Sequence, residues 1–157
     1  RVESFSHSPT VVGGCLLITA AILITTRYAE GKRQVLSYGA FFLIGVAQGV
    51  AVLPGISRSG STIAAAMLLG MGGTAAFRFS FLLSMPAIAG AVVLKLGNAE
   101  AWRSLGWNAL VAGTVAFLSG YIALKLLRRV VVGGYFWAFS LYLIPVGAGL
   151  LLWSTLE

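Results

Sequence analysis

Acidic side chains are scarce in this 157-residue chain, which holds four glutamates, Glu3, Glu30, Glu100 and Glu157, and no aspartate, against eleven Lys and Arg. All four sit at the ends or in the loops of the apolar pattern, so none reaches the middle of a membrane. A carboxylate general base and a carboxylate ligand set for a divalent metal are therefore excluded at that depth. Histidine occurs once, as His7 near the N-terminus, where a surface or interfacial role fits better than catalysis. Cys15 stands alone inside an apolar run, which excludes an internal disulfide and a cysteine metal site and leaves packing. The net charge of +7 does not point to nucleic acid, because the basic residues fall at the ends of apolar runs and form no patch interleaved with aromatics. An initiating Met and a basic-then-apolar leader are also missing, so the chain is expected to start inside a longer protein.

What the chain has is apolar length. Hydrophobic residues make up 59% of it and charged ones 10%, with a mean hydropathy of +0.94, values of a polytopic membrane protein. Four runs are long enough to cross a bilayer of about 30 Å: Ser8 to Thr26, Thr74 to Leu96, Trp107 to Leu127 and Tyr135 to Trp153. A fifth region, Tyr38 to Met71, is split by Pro54 and Gly55. At 1.5 Å per residue its halves reach only about 24 Å and about 18 Å, so neither spans alone. A re-entrant hairpin gathers Arg27, Lys32, Arg33, Lys125, Arg128 and Arg129 on one side, with Glu30 as the only acid there. A spanning region would instead divide the cations almost evenly. The positive-inside rule thus selects the hairpin. It puts the Arg27 to Arg33 loop and the Lys125 to Arg129 loop in the cytoplasm, both chain ends outside, and the hairpin tip pointing toward the outer face. The expected fold is an all-α polytopic membrane protein with four transmembrane helices plus one re-entrant helical hairpin over about 38–71, in a single membrane domain over 1–157.

The tip carries the chemistry. Pro54-Gly55-Ile56-Ser57-Arg58-Ser59-Gly60-Ser61-Thr62 places one arginine among hydroxyls and flexible backbone at a depth where charge is expensive. Pro54 and Gly55 end one helix and Ser57 to Ser59 lead into the next, whose free amides attract anions. Arg58 adds a planar, multi-donor cation suited to phosphate oxygens, and Ser57, Ser59, Ser61 and Thr62 offer hydroxyls. Thr62 falls about one turn after Arg58, so the two can flank one ligand. The plainer reading, that Ser and Gly cap a helix break while Arg58 reaches a head group, is outweighed by four hydroxyls and two glycines around one cation. Gly45-Val46-Ala47-Gln48-Gly49, Ala64 to Ala66 and Gly70 form a thin surface suited to close helix contact. A P-loop does not fit, because Ser61 stands where its lysine belongs. A phosphatidic-acid-type phosphatase does not fit either, because no histidine or aspartate follows Arg58.

The segment Gln48 to Thr62, followed by Arg78-Phe79-Ser80-Phe81-Leu82-Leu83-Ser84-Met85-Pro86, resembles the second signature region of the undecaprenyl-diphosphate phosphatases, the bacitracin-resistance family. The resemblance implies two inverted repeats, each with a re-entrant hairpin and three spanning helices, the tips meeting at an outward-facing site. This chain would be the second repeat. The implied activity is hydrolysis of undecaprenyl diphosphate to the monophosphate at the outer face of the bacterial inner membrane, recycling the lipid carrier of peptidoglycan synthesis. Carried over residue by residue, Ser57, Arg58, Ser59, Gly60 and Thr62 form the phosphate pocket. Ser57, Arg58 and Thr62 act in the reaction, and Gln48, Pro54 and Gly55 support the hairpin. The family's first repeat brings a Glu-x-x-x-Glu pattern, a Ser-rich turn and a histidine that are absent here, and Gln48 and Val52 stand in the equivalent register. A divalent cation, Mg²⁺ or Ca²⁺, is implied with its ligands in that missing half. The implied partners are the lipid substrate, membrane lipids and the first repeat, with a homodimer left open and no nucleic acid.

Arg78 reads as a head-group or helix-end charge, and Ser80 and Ser84, at i, i+4 spacing, as helix–helix hydrogen-bonding groups. Trp102, Trp107, Trp137 and Trp153, with Tyr28 and Tyr135, fit an interfacial belt. Another class remains open: a transporter or flippase of a polyprenyl phosphate or other anion, since broken helices at the midplane are a transporter device. A purely structural membrane domain would leave Arg58 without a use.

Overall fold

Pro9 occupies the first position of helix α1, where its missing N–H costs no hydrogen bond, and the helix runs Pro9–Thr25 before tightening into a 3₁₀ turn at Thr26–Tyr28. It is followed by α2 (Tyr38–Val50), α3 (Arg58–Leu68), α4 (Gly73–Leu96), α5 (Trp107–Val132), a 3₁₀ turn at Phe136–Phe139 and α6 (Ser140–Leu156). These elements come from a computed structural model, which describes residues 8–29, 31–96 and 107–156. Arg1, Glu3, His7, Glu30, Glu100, Trp102, Arg103 and Glu157 lie outside the described residues, as does the side chain of Lys95. Four stretches, Pro9–Tyr28, Gly73–Leu94, Ala109–Val132 and Phe136–Thr155, are long and apolar enough to cross a membrane. The chain is an all-α, multi-pass membrane protein.

Helices α2 and α3 form the expected hairpin, and three local devices shape it. Ser37 caps the start of α2 by accepting from the Ala40 N–H. At the far end of α3, Gly70 adopts φ +94°, and the Met71 N–H reaches Ala66 O while the Gly70 N–H reaches Met67 O, a Schellman stop. The returning chain then pairs with the segment that entered: Arg33 N–H donates to Gly70 O and Gly72 N–H to Arg33 O. Both feet of the hairpin therefore stand at the C-terminal end of α1. Its tip lies far up the same helix, where Gly55 abuts Val12 and Cys15 and its carbonyl accepts from Thr19 Oγ1 at 3.3 Å. The hairpin climbs nearly the height of α1 and comes back.

The core fills the wedge between the hairpin, α1 and α4. Ile44, Ile63, Ala64, Ala66 and Ala76 are fully buried, and the Phe41 and Phe79 rings meet at a tilt from α2 to α4, their centroids 5.0 Å apart. Helices α1 and α6 cross at a pair of glycines: a Cβ on Gly13 would lie 3.0 Å from Gly147 O, and one on Gly147 would lie 3.1 Å from Gly13 O. Close backbone approach of this kind is how helices associate where lipid removes the hydrophobic incentive. Thr10 and Ser154 add a hydroxyl hydrogen bond across the same pair.

The structure adds detail to the expected pattern at three points. Lys125 to Arg129 is not a loop but part of α5, which continues to Val132. Hydropathy ends where the bilayer does, whereas Leu, Lys and Arg go on favouring helix until a stop signal. That signal is Gly134 at φ +77°, with Tyr135 N–H on Val130 O and Gly134 N–H on Val131 O. The last run opens as a 3₁₀ turn, with α-helix only from Ser140, carrying Pro145 inside it. Among the described residues nothing packs against the Gly45–Gly49 pair, for no heavy atom of theirs comes within 4 Å of a Cβ placed on either.

Candidate functional site

The Pro54–Thr62 turn is built by backbone geometry before any side chain acts. Gly55 sits at φ +93°, and a Cβ there would lie 2.8 Å from both Val12 O and Cys15 Cβ, so position and neighbours both require glycine. Ser57 is the N-cap of α3: its backbone is extended and its Oγ accepts from the Gly60 N–H at 3.1 Å. Gly60 fits beneath that cap, since a Cβ would come within 2.9 Å of Ser57 Oγ. The Ser61 N–H bonds Ser57 O at 2.8 Å, and among the described residues the N–H groups of Arg58 and Ser59 are left without an acceptor. Two amide donors are thus left free at the helix N-terminus that carries Arg58.

Arg58 lies where two hollows meet. One, about 650 Å³, is lined by Arg58, Ser59, Thr62 and Gln48 together with Ser80 and Ser84 of α4, and its remaining wall is apolar, including Phe77, Ile88 and Leu127. The other, about 560 Å³, runs between α2 and the second half of α4 over Gly45, Gly49, Ala87 and Ala91, with Gln48 and Arg58 as its polar residues. These small residues, on which no described helix packs, are the walls of this hollow. Arg58 makes no ion pair among the described residues, which contain no Asp or Glu.

The structure separates the hydroxyls that the sequence grouped around Arg58. Ser59 lines the cavity and is exposed, while the Ser57 oxygen is committed to the cap. Thr62 is 2% exposed; its hydroxyl reaches Arg58 O at 3.0 Å and Ser59 O at 3.2 Å, and is hydrogen-bonded to Ser80 Oγ. It holds the first turn of α3 to α4 while forming part of the cavity wall. Ser61 turns away: its buried Oγ has no partner and it does not line the cavity. Ser80 makes the interhelical bond expected of it, but it also lines the cavity, as does Ser84, whose hydroxyl is bonded back to Phe81 O. Their i, i+4 spacing was the signal that α4 turns a hydroxyl stripe to Arg58. Arg78 is exposed and lines none of these hollows.

A guanidinium, backbone amides, hydroxyls and one carboxamide suit an anion, and a phosphate above all. They do not suit a divalent cation, which would need carboxylates and would meet Arg58 instead. No cluster of three His, Cys, Asp or Glu occurs among the described residues.

The family model described as bacitracin resistance protein BacA matches residues 1–149. The chain is 41% identical over 150 residues to a protein of Korarchaeum cryptofilum named undecaprenyl-diphosphatase, covering 96% of this chain and 57% of that one. It is 43% identical over 148 residues to the undecaprenyl-diphosphatase of Desulfatibacillum aliphaticivorans, covering 92% and 54%. With that of Desulfosudis oleivorans it shares 44% over 157 residues, covering 98% and 57%. The chain thus spans little more than half the length of these curated relatives.

Proposed function

The chain belongs to the bacitracin resistance protein BacA family, and from that premise we propose that it forms the phosphate-holding half of an undecaprenyl-diphosphate phosphatase. The observation that carries the reading is the position of Arg58, without a described ion-pair partner and at the start of α3, in a cavity it shares with Ser59, Thr62, Ser80 and Gln48. In this reading Arg58 and the free N–H groups of Arg58 and Ser59 grip the diphosphate. They then stabilise the charge that gathers on the transferred phosphoryl oxygens as the P–O–P bridge opens. The adjoining Gly45–Ala91 hollow, apolar apart from Gln48 and Arg58, gives the first prenyl units a place against α2.

The groups that activate water or act as nucleophile, and the carboxylates that hold Mg²⁺ or Ca²⁺, belong in this proposal to a second, inverted repeat whose own hairpin tip meets this one. The assembled site faces the outer side of the bacterial inner membrane, as the clustering of six cations at the opposite face supports. The full-length protein, reconstituted in sealed vesicles with a polyprenyl diphosphate, tests the reading. Inorganic phosphate released in step with monophosphate formation is the expected result. Movement of the intact lipid between leaflets with no phosphate released would overturn it and assign a transporter.

A further inference from the structure

Away from the hairpin tip, six cations lie at one end of the helices. The ends of α1, α3 and α5 meet at one face, as contacts of Gly31 with Gly70 and of Gly73 with Val131 O establish. Arg27, Lys32, Arg33, Lys125, Arg128 and Arg129 belong to this face, and Arg27 lies 5.0 Å above the Trp137 ring. On α5 three of them share a hollow of about 680 Å³ with Tyr121, Val132 and Gly133. That volume is within the range of small-ligand pockets.

We propose that this hollow seats the phosphate head group of an anionic glycerophospholipid. The length of α5 sets the depth. Its 26 residues measure about 39 Å, against about 30 Å of hydrocarbon, so roughly six residues stand beyond the bilayer core. Exposed Trp107 opens α5 as an interfacial anchor, which puts the surplus at the other end and sets Arg128 to Val132 in the head-group layer. Lys125, Arg128 and Arg129, at i, i+3 and i+4, repel one another along one helix face, and Glu30 is the single acid that the sequence sets against the six cations of this side. A lipid phosphate supplies the missing anion. Lys125 is held ready for it: its Nζ lies 5.3 Å from the Tyr121 ring centroid, folded back into the hollow. Basic hollows at membrane interfaces are recognised lipid sites.

Mass spectrometry of the intact full-length protein, released in mild detergent from vesicles of equal phosphatidylglycerol and phosphatidylethanolamine, tests this. The wild type is expected to retain phosphatidylglycerol at least about tenfold over phosphatidylethanolamine. Arg129→Gln and Tyr121→Leu, which leave at least five of the six cations and so the topology signal, are each expected to reduce that preference several-fold. Arg27→Gln, outside the hollow, leaves it unchanged. Retention of both lipids alike by the wild type would overturn the proposal, including the case where another part of the full-length chain covers the hollow. So would a preference that Arg129→Gln, Tyr121→Leu and Arg27→Gln leave equally intact.

Discussion

Thr62 Oγ1 and Ser80 Oγ are hydrogen-bonded to each other across the contact between α3 and α4, and both side chains are buried. This one bond ties the turn that carries Arg58 to a spanning helix. The two partners are not equivalent. Thr62 also reaches the Arg58 and Ser59 carbonyls, whereas the bond to Thr62 is the interhelical partner of Ser80.

Thr62→Val removes all of these contacts, strands a buried serine and is expected to cost about 1–3 kcal/mol of stability. Ser80→Ala leaves Thr62 satisfied by α3 and is expected to cost about 0.5–1.5 kcal/mol. Denaturation of the full-length protein in detergent checks the order. Because Ser80 acts through Thr62 as a positioning residue, Ser80→Ala should lower kcat with KM little changed, and Ser80→Thr should recover most of it.

Ser57→Ala loses the cap of α3, a change worth about 1 kcal/mol. Ser57→Asp restores the cap but sets a carboxylate beside the proposed phosphate pocket. Stability near wild type with substrate binding lost is the expected outcome for Ser57→Asp, measured by thermal denaturation alongside lipid-substrate titration. Unchanged affinity would remove Ser57 from the pocket.

Gly55→Ala is expected to be the most damaging small substitution at the tip. The left-handed backbone costs about 1–2 kcal/mol for a residue with a Cβ, and the added methyl meets Val12 O and Cys15 Cβ at 2.8 Å. A loss of at least about 2 kcal/mol in reversible unfolding is expected, and Val12→Ala should not rescue it because the Val12 atom in the way is its backbone carbonyl and Cys15 Cβ remains.

Gly13→Val tests the α1–α6 crossing, where a side chain would meet Gly147 O at 3.0 Å and Leu151 at 3.1 Å. Lower stability with unchanged KM is expected, since neither helix lines the cavity at Arg58.

How much of this was legible in the sequence varied with the kind of force involved. The broken Tyr38–Met71 region and its return to one face could be read from Pro54, Gly55 and the sidedness of the cations, because helix rise and bilayer thickness are fixed lengths. The end of α5 could not be read from hydropathy, which fades at Leu127, whereas Gly134 decides where the helix stops. At the site, Ser57 to Thr62 stood out as polar residues in an apolar setting. Which hydroxyl faces Arg58 could not be seen, because a helix turn sends Ser59 and Ser61 to different sides. Ser80 and Ser84 looked like ordinary packing groups until α4 was laid against α3. The Gly45–Gly49 face read as a helix contact, yet no described residue packs on it, for a related reason: a thin surface looks the same whether a helix or a cavity lies over it.

Phosphate release from undecaprenyl diphosphate by the full-length protein carrying Arg58→Ala, against wild type and Arg58→Lys, tests the central claim most directly. Loss of the guanidinium is expected to lower kcat/KM by about 100-fold or more, with Arg58→Lys recovering only a small part because a point charge cannot fork across two oxygens. A rate within a few-fold of wild type for Arg58→Ala, in protein shown to be folded, would contradict the assignment of this turn as the phosphate-holding half of the site.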